Sequence, residues 1–280
     1  MPMHDKSDSS DAPARELASR WLRSLACLGL ATAALAGCDG KVHRHAASTP
    51  QVTPTATSSS FGAADWSCLS PRERGQMFVL HGPGQSRLAA LSVGTGRVAV
   101  ILAHQVAGSL CQWWPYGRTL AAAGFRVVAF DFDGFGASPP GDGDYPGEVA
   151  AAARWARHAG AKKIILIGGS MGGTAVMVAA ARLGGSVTGV IDLSGPAVFA
   201  GMNALAAAKR VHVPVLFGYG IQDTAFATAV KQVRAATASR DKPLVTVGDQ
   251  THGAALVDLA VGYPKVRQAV LRFIRVTTRG

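Results

Sequence analysis

Blocks of apolar residues, each about as long as a strand, recur along the chain from residue 76 onward. Two short blocks, QMFVL and SRLAALSV, flank the turn HGPGQ and predict an antiparallel hairpin. Helical patterns separate the blocks that follow, around 112–123, 147–159 and 171–183. Two further helices are predicted, one between the last two strands and one at 262–275. The remaining strands are predicted at 97–104, 126–132, 163–169, 187–195, 213–220 and 243–249.

This order of elements predicts an α/β fold. Continuous apolar strands separated by helices are typical of a mostly parallel sheet that is covered by helices on both faces. The opening hairpin would add antiparallel strands at one edge. Reactive groups in such sheets gather in the loops that follow the carboxyl ends of the strands. We therefore expect the functional residues in those loops.

The first 65 residues have a different pattern. Arginines precede LACLGLATAALAG, an apolar run from Leu25 to Gly37, which is shorter than the roughly 20 residues that a membrane helix needs. Its length and small-residue ending indicate a secretory signal over residues 1–37. Residues 38–65 are rich in Ser, Thr, Pro and Ala and predict a flexible linker. The globular domain is then expected at 66–280.

The apolar run closes in LAGC, residues 35–38, which resembles the lipobox of bacterial lipoproteins. The resemblance implies that Cys38 becomes the lipidated N-terminus of an exported protein, anchored to the bacterial cell membrane at its periplasmic or extracellular face. The alternative is an ordinary signal in which Cys38 is incidental. Export would leave Cys68 and Cys111 in an oxidising compartment, either joined in a disulfide or as buried free thiols.

Charge and composition indicate less about the function than the order of elements does. The net charge is +11, which could favour anionic lipid or wall polymer, but the basic residues are scattered and indicate solubility instead. No nucleic-acid-binding motif accompanies them, so no nucleic-acid partner is expected. Metal-ligand spacing is also absent from the sequence, and we expect neither a metal nor a cofactor.

The glycine-rich segment GGSMGG follows the predicted strand 163–169. A dinucleotide fingerprint needs glycines at its first, third and sixth positions, and a P-loop needs Lys after its last glycine; this segment has neither. The pattern G-x-S-x-G between a strand and a helix fits a nucleophile elbow, which presents a serine hydroxyl on a sharp turn. Ser170 is therefore the predicted nucleophile.

With this elbow the chain resembles the α/β-hydrolase family, in particular capless esterases of the dienelactone-hydrolase type, over roughly residues 75–275. The family's order of serine, acid and histidine implies a triad of Ser170, Asp223 after the penultimate strand and His252 after the last one. Asp192, one strand earlier, is the rival acid, and its position favours a buried strand-end group instead.

The resemblance also implies where an oxyanion would be stabilised. The backbone N–H of Met171 begins the helix after the nucleophile, and the second donor should follow strand 97–104, at Val106 or the adjacent Gln105. HGPGQ resembles the family's His-Gly motif but comes too early, and His104 is expected to brace the loop. FDFDGFGAS resembles the family's Asp-x-Arg-Gly-x-Gly-x-Ser segment, with Asp133 in place of Arg; we expect Asp131 and Asp133 to be structural.

The substrate class follows from the predicted openness of the site. About 17 residues separate strands 187–195 and 213–220, enough for one short helix at 203–210 but not for a large cap. Trp113, Trp114 and Phe199 could line an acyl pocket or belong to the core. The sequence thus favours an exported, membrane-tethered serine hydrolase that cleaves carboxylic esters. A peptidase or thioesterase with the same triad, and a non-catalytic binding lipoprotein with this fold, are the alternatives.

Overall fold

The computed structural model describes residues 66–141 and 143–279. The predicted signal peptide, the lipidation at Cys38 and the linker lie outside the described residues. Within the described ranges, no helix is both long and apolar enough to cross a membrane.

A mostly parallel sheet of eight strands forms the centre of the domain. Its strands, in chain order, are β1 Phe78–His81, β2 Arg87–Val93, β3 Val98–Ala103, β4 Arg126–Phe130, β5 Lys163–Gly169 and β6 Gly189–Leu193, then β9 Val215–Gly220 and β10 Leu244–Val247. They lie in the order β1-β2-β4-β3-β5-β6-β9-β10. β2 pairs antiparallel with β1 and β4, and every other pairing is parallel. The predicted α/β fold, including its antiparallel start, is confirmed.

Seven α-helices accompany the sheet in the described ranges. They are α1 Pro71–Arg74, α2 Trp114–Ala122, α3 Tyr145–His158, α4 Met171–Leu183, α5 Ala204–Ala208, α6 Thr224–Ala236 and α7 Pro264–Thr277. α3, α4, α5 and α6 pack on one face of the sheet, and α2 and α7 pack on the other. Neighbouring strand residues divide between the two faces: Ile101 faces the first group, and Val100 and Leu102 face the second. Helices on both faces explain why a central strand such as β3 is apolar at every position.

No large cap covers the carboxyl edge between β6 and β9. Residues 194–214 are all described, and they hold the two-residue strands β7 Val198–Phe199 and β8 Met202–Asn203 followed by α5. The pattern of apolar residues did not predict this hairpin. Its turn residues Ala200 and Gly201 have φ of 46° and 78°, as a tight hairpin turn requires.

The segment before the sheet is fastened to α2. Cys68 and Cys111 form a disulfide with their Cα atoms 5.6 Å apart. Glu73, in α1, accepts hydrogen bonds from the Arg118 guanidinium at 2.7 and 2.8 Å and from the Trp114 indole at 2.9 Å. The Arg118 guanidinium holds the pKa of Glu73 well below its usual range. These contacts tie residues 66–74 to the helix that follows the β3 loop.

Candidate active site

Ser170 lies in the turn between β5 and α4, at the carboxyl edge of the sheet. Its backbone has φ of 50° and ψ of −119°, a conformation that costs a non-glycine residue roughly 1–3 kcal/mol and persists only where the surroundings hold it. Its N–H donates to the Leu193 carbonyl oxygen over 2.9 Å. A Cβ at Gly172 would lie 2.7 Å from the His104 carbonyl oxygen, so the elbow needs glycine where the helix passes the β3 loop.

Asp223 and His252 meet at the same edge from two other loops. Asp223 follows β9 as the N-cap residue of α6, and His252 follows β10. Their side chains approach to 2.6 Å between Asp223 Oδ2 and His252 Nδ1. An ionised carboxylate only accepts hydrogen bonds, so Nδ1 carries the proton and Nε2 is left able to accept one. The Phe226 ring packs on the imidazole, with centroids 4.2 Å apart.

The segment after His252 packs against the residue before Ser170. A Cβ on Gly169 would lie 2.8 Å from the Ala254 nitrogen and 3.3 Å from the Gly253 carbonyl carbon. The Ser170 hydroxyl forms no hydrogen bond with any described residue. Hydrogen bonds between catalytic groups are often long or poorly aligned until substrate binds. The structure therefore brings the elbow and the Asp223–His252 pair to one place.

Gln105 joins the loop after β3 to the loop that carries His252. Its Oε1 accepts a hydrogen bond from Ala254 N at 2.7 Å, and its own N–H donates to Gln112 Oε1 at 2.9 Å. Gly253 adopts a φ of 56° beside this side chain. The Gln105 N–H is already used, which leaves the Val106 N–H as the remaining candidate for the predicted second oxyanion donor. The sequence contained one sign of a special role for Gln105, namely that His104-Gln105 stands where the α/β-hydrolase family often has His-Gly.

His104 and Asp131 hold the loops on either side of this edge. His104 is fully buried; its Nδ1 donates to Gln105 O at 2.6 Å and its Nε2 accepts from Phe132 N at 2.9 Å. Burial lowers the pKa of His104 to about 4, so the ring is neutral. Asp131 accepts from Leu110 N at 2.6 Å and Ala137 N at 2.8 Å. Both side chains bind backbone groups, as their expected structural roles require.

Asp192 is the penultimate residue of β6 and is fully buried. Its Oδ1 accepts from Gly195 N at 2.9 Å, whereas its Oδ2 has no partner among the described residues. Burial raises the pKa of Asp192 to about 7. Asp223, and not Asp192, is the acid that hydrogen-bonds His252.

Two buried carboxyl side chains, Asp133 and Glu148, lie beside the hairpin β1–β2. Asp133 Oδ2 accepts from Gly143 N at 2.8 Å and Ser86 Oγ at 3.3 Å, and Glu148 Oε2 accepts from Asp133 N at 3.1 Å. Burial raises the pKa of Glu148 to about 8. The sequence analysis did not single out Glu148, since one acidic residue in an alanine-rich helix gives no signal of burial.

The aromatic candidates for an acyl pocket divide between core and surface. Trp113 and Trp114 are fully buried, and their indole N–H groups donate to Ala103 O and Glu73 Oε1, both at 2.9 Å. They belong to the core. Phe199 is half-buried in the short hairpin. Val106, Val198 and Ile221, which follow the carboxyl ends of β3, β6 and β9, are exposed.

No group of three or more His, Cys, Asp or Glu side chains is placed to hold a metal ion anywhere in the described ranges. HGPGQ forms the turn between β1 and β2, where Gly82 N donates to Ser86 O at 2.9 Å. It therefore does not supply the loop after β3.

Comparison with known proteins identifies the fold. A family model for the alpha/beta hydrolase fold matches residues 98–219. A search of curated proteins finds no match. Solved structures do match. An esterase from Pyrococcus furiosus is 16% identical with a TM-score of 0.60, over 72% of this chain and 91% of that one. The protein thus has the α/β-hydrolase fold.

Two further structures are similar over most of their length. A monoacylglycerol lipase from Paleococcus ferrophilus is 19% identical with a TM-score of 0.56, over 68% of this chain and 99% of that one. Est1E from Butyrivibrio proteoclasticus, solved with ferulic acid bound, is 19% identical with a TM-score of 0.58, over 71% of this chain and 98% of that one. At such identities the likeness establishes the fold alone.

Proposed function

We propose that the protein is a serine hydrolase that cleaves carboxylic esters, with Ser170 as nucleophile, His252 as general base and acid, and Asp223 as the group that orients His252. The observation that carries the proposal is the 2.6 Å contact between Asp223 and His252 at the edge where Ser170 occupies a strained elbow. The fold is shared with an esterase, a lipase and a protein that binds ferulic acid, which supports ester substrates over amides.

The chemistry follows from the proton positions. His252 Nε2 takes the Ser170 hydroxyl proton as Oγ attacks the ester carbonyl carbon, and the carbonyl oxygen becomes an oxyanion. The Met171 N–H is at the first position of α4, where a helix leaves its amides without helical partners, and the Val106 N–H is the second donor. His252 returns the proton to the departing alcohol. Water then attacks the acyl-enzyme by the same route and releases the carboxylic acid.

We also propose that the protein is exported and tethered by lipid at Cys38. The lipobox supports this, and so does the Cys68–Cys111 disulfide, because disulfides persist mainly in oxidising compartments.

A fluorophosphonate, which reacts with activated serines, tests the mechanism. We expect the full-length protein to be labelled and Ser170→Ala to lose both the label and ester turnover. Ser194→Ala is the matched control, since Ser194 is also buried with a positive φ of 59° but follows β6 instead of β5. Labelling that persists in Ser170→Ala would contradict the proposal.

A panel of substrates distinguishes an esterase from a peptidase, a thioesterase and a non-catalytic binding protein. Acyl p-nitrophenyl esters of increasing chain length should be hydrolysed faster than matched anilides or thioesters. Faster turnover of an anilide or a thioester would assign a peptidase or thioesterase instead. A protein that is folded but neither labelled nor active would be a non-catalytic binding protein.

A further inference from the structure

A cavity of about 230 Å³ opens between α2 and α7, lined mostly by apolar side chains. None of Ser170, Asp223 and His252 lines it. Its walls include Tyr116, Leu120, Leu259, Arg267, Gln268 and Leu271. The cavity is therefore a feature separate from the candidate active site.

Tyr116 is the unusual group in this wall. It is only 4% exposed, yet its hydroxyl forms no hydrogen bond with any residue in the described ranges. The ring is buried, but the hydroxyl oxygen is not among the fully buried unpaired atoms of the described residues, so it is open to a ligand that enters the cavity. Burial also raises the pKa of Tyr116, so the hydroxyl keeps its proton. It is a hydrogen-bond donor in a wall that is mostly apolar.

Arg267 brings positive charge to the same wall. Its Nη1 donates to the Asp258 carbonyl oxygen at 2.5 Å, and it forms no ion pair with any described carboxylate. The positive charge of Arg267 lowers the pKa of Tyr116 by less than burial raises it, so the two groups interact. A guanidinium has five N–H donors, so most of them remain for a ligand.

We propose that this cavity binds a small amphipathic carboxylate. Its apolar part would fill the space between Leu120, Leu259 and Leu271, and its carboxylate would accept hydrogen bonds from Arg267 and Tyr116. At about 30 Å³ for each water-sized group, the cavity holds roughly eight non-hydrogen atoms, the size of hexanoate. A single cation matches a monoanion, whereas a phosphate dianion would keep an unpaired charge, and a neutral alcohol would leave Arg267 without a counterion.

Hexanoate binding to full-length Ser170→Ala, measured by calorimetry, tests this site without turnover. Loss of a charge-assisted hydrogen bond weakens binding by about tenfold or more, so Arg267→Gln should raise Kd by at least that factor. Tyr116→Phe, which removes only the hydroxyl, should raise it by several-fold. Arg272→Gln, on an exposed position of the same helix, should leave Kd unchanged. Hexan-1-ol and inorganic phosphate should bind more weakly than hexanoate.

Ala123→Leu provides a second route, because it fills the cavity without altering charge. It should also abolish binding while the melting temperature stays close to that of the parent. Absence of hexanoate binding would overturn the proposal. So would equal affinity in the parent, Arg267→Gln and Ala123→Leu, which would place the bound hexanoate elsewhere, for instance at the Ser170 edge. Because the binding assay involves no catalysis, its outcome is independent of the proposed ester hydrolysis.

Discussion

Ser170 occupies a conformation that its own backbone does not favour, and its neighbours compensate. The Ser170 N–H is held by Leu193 O, and the glycines on either side allow the β3 loop to approach. The residue as a whole is 7% exposed. Strain of this kind at a candidate nucleophile is consistent with a site whose geometry is fixed before substrate arrives.

At the scale of single residues, we predict that Asp223, and not Asp192, is the acid that acts with His252. Asp223→Asn should lower kcat for an ester on the order of 10⁴-fold, because Asn no longer stabilises the imidazolium or fixes its tautomer. Asp192→Asn should retain most of the turnover, since Asp192 bonds Gly195 and not His252. Steady-state kinetics of both variants, with circular dichroism as a check on folding, decides between them. The reverse pattern would transfer the role to Asp192.

Glu148 gives a prediction for stability against pH. Burial raises its pKa from 4.5 to about 8, so between these values the folded state keeps a proton that the unfolded chain has released. The free energy of unfolding therefore falls as pH rises through this window, by at most about 1.4 kcal/mol per pH unit. His104, with its pKa lowered from 6.5 to about 4, gives the opposite slope below pH 6.5.

The Glu148 contribution should consequently be visible between pH 6.5 and 8. Glu148→Gln should flatten the decline of the melting temperature in that range, as measured by calorimetry at several pH values. Asp241→Asn, at an exposed site, is the control and should follow the wild-type profile. An unchanged decline in Glu148→Gln would show that Glu148 ionises normally in the fold.

At the scale of elements, the strands carry the candidate site and the loops complete it. Ser170, Asp223 and His252 follow β5, β9 and β10, which are brought to one edge by parallel pairing. Gln105, after β3, then connects the β3 loop to the His252 loop. The β3 loop and the His252 loop are therefore expected to move together.

Gln105→Ala tests this connection. Without the acceptor for Ala254 N, the His252 segment should be less well placed, and kcat should fall by up to about 10²-fold while KM changes little. Gln105→Glu keeps an acceptor oxygen and should restore part of kcat. Gln76→Ala, at an exposed position outside the site, serves as the control. Wild-type kcat in Gln105→Ala would mean that the bond does not position His252.

The disulfide is the second prediction for elements. It closes a segment with a sequence separation of 43, for which the chain-entropy model gives up to about 4 kcal/mol. The double variant Cys68→Ser, Cys111→Ser should therefore melt at a lower temperature than the wild type. Thiol titration of the denatured, unreduced protein is the direct check. Free thiols at both positions would contradict the bridge.

The fold could be predicted from the sequence where elements are long enough to have a pattern. All the strands of the large sheet were predicted. β5 was predicted with its observed bounds, whereas the other strands were predicted one or two residues too long at one or both ends, because buried apolar residues such as Phe132 continue beyond the strand. The hairpin β7–β8 and helix α1 are too short to have a period. Chain order suggested Asp223 and His252, but the Gln105–Ala254 bond joins residues 149 positions apart, and no local pattern contains such a contact.

At the scale of the whole domain, the sheet separates two kinds of feature. The candidate active site lies at the carboxyl edge, where Val106, Val198 and Ile221 in the neighbouring loops are exposed and residues 194–214 form no large cap. The cavity with Arg267 lies on the face covered by α2 and α7. An open edge suits ester substrates of varied shape, and a cavity of limited volume suits one small ligand.

The attachment of this domain to a membrane is a prediction about the full chain. If LAGC is a lipobox, Cys38 is the residue that receives the acyl chains. Cys38→Ser should then abolish incorporation of an alkyne-labelled fatty acid. The precursor should remain unprocessed, or the protein should appear in the soluble fraction. Cys27→Ser is the matched control, because Cys27 lies in the same apolar run but not at the lipobox position. It should remain labelled and membrane-bound. Wild-type protein that takes up no label, together with unchanged fractionation of Cys38→Ser, would refute lipidation and favour an ordinary cleaved signal.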